Sequence, residues 1–218
     1  MTFWQVTLRL LDGFRFTLAI FGFTLVAAIP LGLLIAFGAM SRFKPLAAVI
    51  HGFVWVIRGT PLMLQLIVFD FAPYYIFKIP LRSEWQHLVM GCIAFSINYA
   101  CYFSEIFRGG IQSISQGQYE AGQVLGMTRR QIFFRVVLLQ VVKRIVPPMS
   151  NEIITLVKDT ALASVVVHLD LFTLAKGIVN VQAVLWPIFY AGLFYLIFNG
   201  VLTVLLGKLE KKLEYFKV

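Results

Sequence analysis

Twenty-four consecutive residues, Phe16 to Ala39, carry no charged side chain. As a helix such a run is about 36 Å long, ample for a hydrocarbon core of about 30 Å. A second uncharged run, Ala183 to Gly207, lies toward the other end of the chain. Composition extends the pattern to the whole: 60% of residues are hydrophobic and 13% are charged. That is about half the charged share of an ordinary soluble domain, and the mean hydropathy is +0.85. The chain reads as an all-α integral membrane protein.

Five spans are expected, in a single domain covering 1–218, near 16–39, 46–77, 88–107, 145–167 and 183–207, with a polar loop over 108–144. Ahead of the first span, Trp4 to Leu11 suits a short interfacial segment anchored by Trp4 and Arg9. The stretch MTFWQVTLRL lacks the basic region and small-residue cleavage site of a secretory leader, so no cleavage is expected. The second hydrophobic region is too long for a plain span and is interrupted at Arg58-Gly59-Thr60-Pro61. Pro61 removes a backbone donor and Gly59 relaxes the chain, which predicts a kink or discontinuity. Glu105 and Arg108 close the third span, three residues apart, at the spacing of an intrahelical pair. Cys92 and Cys101 share one apolar run without disulfide or metal spacing and read as packing residues.

A net charge of +9 raises the question of nucleic acid, but the basic residues gather in loops rather than along one face, so no nucleic acid is expected. They act instead as topology signals. One side of the membrane receives twelve: Arg42, Lys44, Arg108, Arg129, Arg130, Arg135, Lys143, Arg144, Lys208, Lys211, Lys212 and Lys217. The other receives five, Arg9, Arg15, Lys78, Arg82 and Lys176, while Arg58 and Lys158 fall inside spans. The positive-inside bias puts the central loop and the C-terminus in the cytoplasm and the N-terminus outside.

Within the central loop, Ser115 with Gln118 fits a capping box, Gly126 sits where a helix stops, and Thr128 with Gln131 opens a second helix by the same device. The second helix carries Phe133, Phe134, Val137 and Leu138. Such a pair suits docking against a soluble partner, and equally an amphipathic connector lying on the lipid.

Ionisable groups inside a span cost roughly 2.5–3.5 kcal/mol each on insertion scales, so they face partners or water-filled cavities. The fourth span holds Glu152, Lys158 and Asp159, with Asn151, Thr155 and Thr160. Positions seven apart lie about 20° apart around a helix, so Glu152 and Asp159 share a face with Thr155. A zwitterionic amino acid needs an anion for its ammonium group, which Glu152 or Asp159 offers. It needs a cation or donor for its carboxylate, which Lys158 with Thr160 offers. The competing reading has Lys158 and Asp159 pairing across helices or reaching an interface. Asp70 and Asn98 suit either a cavity wall or a buried network. Catalytic motifs are missing: His51, His87 and His168 lie in separate segments, and there is no G-x-S-x-G elbow and no P-loop. Any ATP hydrolysis belongs to another polypeptide.

Three motifs carry a family resemblance. Glu120-Ala121-Gly122, three residues, Gly126, nine residues, Val136, then Leu138-Leu139 resembles the EAA loop of ABC-importer permeases. It departs at Gly122 for Ala, Val136 for Ile and Leu139 for Pro. The first two are small changes within a size class. The third removes a helix breaker, so the second helix is free to run on toward Val142. RGTP resembles the second helix of polar amino-acid permeases and is read as a fold marker rather than a binding site. NEIITLVKDTALASV resembles the helix that lines their translocation path. The chain is thus similar to the permease subunit of a type I ABC importer of the polar amino-acid uptake family.

That resemblance implies a bacterial cytoplasmic-membrane location and partners: a cytoplasmic ABC ATPase dimer carrying ATP and Mg, and an external solute-binding protein. It also implies a second permease subunit, identical or homologous. Glu120, Ala121, Gly122, Gly126, Met127 and Arg129 would couple to the ATPase. Glu152, Thr155, Lys158, Asp159, Thr160, Asn98 and Asp70 would line the path for an amino acid moving by alternating access. No cofactor is expected in this chain. The alternative from another class is a self-contained channel or a membrane enzyme.

Overall fold

A computed structural model describes residues 2–213, and among them all regular structure is helical. The first helix, α1 (Phe3–Ala39), begins on a full capping box in which Thr2 and Gln5 bond each other reciprocally. Its 37 residues extend about 55 Å. The expected interfacial segment Trp4–Leu11 is therefore helical and continuous with the helix of the first span. Gly13, the weakest helix former between them, is packed in place: a Cβ there would lie 2.9 Å from the Leu171 Cα.

Helices α2 (Lys44–Gly59) and α3 (Leu62–Phe77) bend by 107° at the expected break. This is an elbow, sharper than a kink. Helix α2 stays near the end of α1, where Gly38 meets Ile50, and its own end reaches α4 (Glu84–Gln112) at Glu105. Helix α3 then runs antiparallel to α4, from a Gln65–Asn98 hydrogen bond to an Asp70–His87 one.

The core lies between α1 and α4. Toward its C-terminal end the buried face of α1 narrows from Ile20 and Phe21 to Thr24, Ala28, Gly32 and Ala36, spaced at about one helical turn and small enough for α4 to approach closely. Phe95, Tyr99 and Phe103 of α4 fill the space opposite, with Cys92 and Cys101 buried and free as expected. On the other face of the same stretch Phe23, Val26, Leu34 and Phe37 are exposed and apolar, as a lipid-facing surface should be.

After α4 come α5 (Gln116–Val124), α6 (Arg129–Ile132), a π-helical turn (Phe133–Val137) and α7 (Leu138–Asp159). The last three form one continuous rod. With Leu139 in place of a proline, nothing stops the loop's second helix, which runs without a break into the fourth predicted span, 145–167. Its helix ends early, at Asp159, giving way to a 3₁₀ turn at Thr160–Val165. Helix α8 (Leu171–Gln182) is capped by Asp170, whose Oδ2 accepts from the Phe172 and Thr173 N–H groups. Helix α9 (Trp186–Leu213) leans on the start of α1 through a chain of rings in which Trp186, Tyr190 and Phe194 meet Phe3 and Phe14. Among the described residues α1, α4 and α9 are each long and apolar enough to cross a membrane, and the α2–α3 pair adds at most one bent span. Helix α7 is more polar, carrying Lys143, Arg144, Glu152, Lys158 and Asp159. The end of the basic tail, with Lys217, lies outside the described residues.

Candidate functional site

The site is built on the elbow. Ending α2 at Gly59 leaves its last carbonyl groups without helical partners. Gln65, one turn into α3 and buried, supplies them. Its Nε2 donates to the Ile57 carbonyl at 2.7 Å, the Thr60 Oγ1 at 2.8 Å and the Thr60 carbonyl at 3.2 Å. Asn98 Nδ2 donates to the Gln65 Oε1 at 3.0 Å and fixes the orientation of that amide. The two halves of the broken span are therefore tied by one amide, while the Thr60 hydroxyl turns back to donate to the Val56 carbonyl at 2.9 Å.

Around the elbow opens a cavity of about 490 Å³, lined by Arg58, Gly59, Thr60, Pro61 and Leu62 on one side. Asn98, Tyr99 and Tyr102 of α4 and Glu152, Thr155 and Asp159 of α7 form the other walls. The Arg58 guanidinium lies over the Tyr102 ring, with Cζ 5.0 Å from its centroid. Its Nη1 is 3.8 Å from a Glu105 carboxylate oxygen. Glu105 is already held by Arg108, through Nη2 at 2.6 Å and Nε at 3.1 Å, the intrahelical pair expected from their spacing. Arg58 is thus positioned by a ring face and one long ionic contact, which leaves its fork free for a carboxylate in the cavity. Opposite, Asp159 Oδ2 accepts from the Tyr99 hydroxyl at 2.7 Å.

Glu152, Thr155, Asp159 and Asn98 are brought together as predicted, Asn98 serving both as wall and as network. Three other expected path residues are not. Lys158 is exposed and lies off the cavity face, since it is one residue, about 100°, around α7 from Asp159. Thr160 is fully buried and donates back to the Val157 carbonyl at 2.6 Å. Asp70 pairs with His87 Nδ1 at 2.6 Å, further along α3. The RGTP segment, read as a fold marker, is a wall of the cavity. Arg58 supplies the cation that Lys158 does not. Tyr99, Tyr102 and Gln65 were missed, because nothing in an apolar run marks which aromatic or amide faces a cavity.

The central loop forms a compact unit beyond the end of α4. Ser115 caps α5 without a side-chain bond, so the expected capping box there does not form. Its partner Gln118 is engaged elsewhere, accepting from Gln140 Nε2 at 2.9 Å. The Thr128–Gln131 box does form. Gly126 has φ +70°, and the Gly126 and Met127 N–H groups donate to the Gln123 and Gly122 carbonyls, the double bond that terminates a helix on a left-handed glycine. Gly122 is buried where α5 meets α6: a Cβ there would lie 2.6 Å from Ile132 Cγ1. Gly122 is therefore not interchangeable with Ala in this loop, contrary to the size-class reading. Met127 is half-buried, packed with Ile111, Ile114, Ile132 and Val137. Glu120, Ala121 and Arg129 are exposed, as are Val124 and Leu125, at 87% and 78%. The last two form an apolar tip that the sequence reading did not single out.

This architecture, with a solute-sized cavity at a broken helix and an exposed helical loop, is that of a membrane transport subunit. The chain belongs to the family of binding-protein-dependent transport system inner membrane components, whose model matches residues 28–215. It is 34% identical to the L-cystine transport system permease protein TcyB of Bacillus subtilis (strain 168), over 99% of this chain and 89% of that one. It is 32% identical to the arginine transport system permease protein ArtQ of the same organism, over 94% of this chain and 92% of that one. A solved amino acid ABC transporter with histidines superposes with a TM-score of 0.84 at 31% identity, covering 95% of each chain. The MetNI methionine ABC transporter shares the fold, with a TM-score of 0.67 at 16% identity. The chain is accordingly an inner-membrane ABC-importer permease component, and neither the channel nor the enzyme alternative is favoured.

Proposed function

We propose that the chain is the permease subunit of an ATP-driven importer of polar amino acids, with the cavity at the α2–α3 elbow as its solute site. The observation that carries this reading is one cavity holding Arg58 opposite Glu152 and Asp159. An amino acid would present its carboxylate to the Arg58 fork and its ammonium group to the α7 carboxylates. Asn98, Thr60 and Thr155 remain for a polar side chain. Relatives whose names refer to cystine, glutamine and arginine support the amino-acid class.

The loop around Glu120, Ala121, Gly122, Gly126, Met127 and Arg129 is the coupling helix, seated on a separate cytoplasmic ATPase dimer that holds ATP and Mg. The exposed tip Val124–Leu125 supports this reading, since it is an apolar surface awaiting a partner. Because α6, the π turn and α7 are one rod, displacement of the loop would carry Glu152 and Asp159 with it. The cavity then opens alternately to an external solute-binding protein and to the cytoplasm. A second permease subunit, identical or homologous, completes the path. The bias of basic residues supports a cytoplasmic loop and C-terminus, an external N-terminus and five crossings of the bacterial cytoplasmic membrane.

The test is ATP hydrolysis by the chain reconstituted in nanodiscs with its ATPase, with binding protein and single amino acids added in turn. Stimulation by one liganded binding protein is expected, lost when Gly126 is replaced by Leu, which cannot easily hold a positive φ. Absence of any associating ATPase, or wild-type uptake with Gly126→Leu, would overturn the reading.

A further inference from the structure

The polar cavity uses one side of α4, and the opposite side carries a hollow of different chemistry. Asn98 faces the cavity. Val89 lies nine residues away, which at about 100° per residue is half a turn out of phase. There Trp85 and Val89 of α4, with Phe69, Ala72 and Phe77 of α3, enclose a groove of about 620 Å³ lined almost wholly by apolar side chains. A solute path needs polar walls, and a subunit sharing that path would sit on the Asn98 side. An apolar lining of this kind matches hydrocarbon rather than water.

One end of it is charged. The turn joining α3 to α4, residues 78–83, closes the groove with Ile79 and Leu81 and leaves Lys78 and Arg82 exposed. Arg82 is fixed at the rim, because its backbone N–H donates at 2.6 Å to Oε1 of Gln86, which lines the groove. The neighbouring carboxylate, Glu84, is turned away to accept from the His168 N–H at 3.3 Å. Tyr74, Tyr75 and Trp85 stand exposed around the same turn, the aromatic belt that sits at the level of lipid headgroups.

We propose that this groove binds an anionic phospholipid, its acyl chain filling the hollow and its phosphate held by Lys78 and Arg82. Two cations with no facing acid among the described residues, Lys78 lying 6.0 Å over the Tyr74 ring, select for negative charge over a zwitterionic headgroup, and the aromatic belt sets the depth at which that headgroup lies. The bound lipid braces the closed end of the α3–α4 hairpin, whose other end holds the elbow.

The test is native mass spectrometry of the full chain, purified in a neutral detergent and titrated with phosphatidylglycerol or phosphatidylcholine. Two basic residues at a headgroup correspond to a preference of roughly thirtyfold for the anionic lipid. The double variant Lys78→Gln/Arg82→Gln should bind both lipids equally, with an unchanged thermal midpoint in lipid-free detergent. Ala72→Trp, which fills the hollow, should lose both. Equal binding by the wild-type chain overturns the proposal without recourse to any variant. So does a preference that survives the double variant, lipid retention by Ala72→Trp, or a photo-crosslinker at Val89 that captures a second copy of the chain instead of lipid.

Discussion

Gln65 and Arg58 show how much single side chains decide in a broken membrane helix. Gln65→Leu nearly keeps the volume but removes the amide from the half-buried Ile57 carbonyl and leaves Asn98 without its acceptor, a cost of about 1–3 kcal/mol for a buried group left without a partner. A lower thermal midpoint in detergent is expected, and an unchanged one would mean that water replaces the amide. For Arg58 the informative pair is Ala against Lys. Arg58→Lys keeps the charge but loses the planar fork and its fit to the Tyr102 ring. If the fork binds the solute, Lys should weaken amino-acid uptake nearly as much as Ala, whereas full activity with Lys would reduce Arg58 to a point charge. Gly122→Ala drives a methyl group into Ile132, with an overpacking cost of about 1–3 kcal/mol. Limited proteolysis of the loop should accelerate, and adding Ile132→Val should restore part of the resistance.

At the scale of elements, the rod from Arg129 to Asp159 joins the exposed loop to the cavity wall. Its π-helical turn holds one extra residue per turn relative to an α-helix, and such insertions mark functional positions. Inserting an alanine after Leu139, in the α-helical stretch beyond that turn, should rotate α6 by about 100° against the rest of α7. Insertion into the membrane should persist while solute-dependent ATP hydrolysis is lost. Retained coupling would show that the loop tolerates rotation and that the rod is not the transmitting element.

Across the whole molecule, the α1–α4 spine is what the other helices are hung on. At Gly32 a Cβ would lie 2.8 Å from the Ala100 carbonyl oxygen, a backbone atom that cannot step aside. Gly22, on the same helix, has open space around it. Gly32→Leu should abolish monodisperse protein in detergent while Gly22→Leu leaves it intact, as size-exclusion chromatography can test. Equal behaviour of the two would remove α1–α4 packing as the organising contact.

Features governed by a few neighbouring residues were legible in the chain: the membrane class from uncharged runs, the elbow from Arg58 to Pro61, the helix stop at Gly126, the Thr128 box. The shared face of Glu152 and Asp159 was legible for the same reason, since helical periodicity is local. It could not tell which side of α7 meets α4, so Lys158 entered the expected path and Arg58 did not. Asp70 went to His87, and Gln118 left its cap for Gln140, because a partner distant in sequence came within reach. Periodicity assigns residues to a face, but only packing decides what that face meets, and the chemistry of this cavity comes from the meeting of three elements.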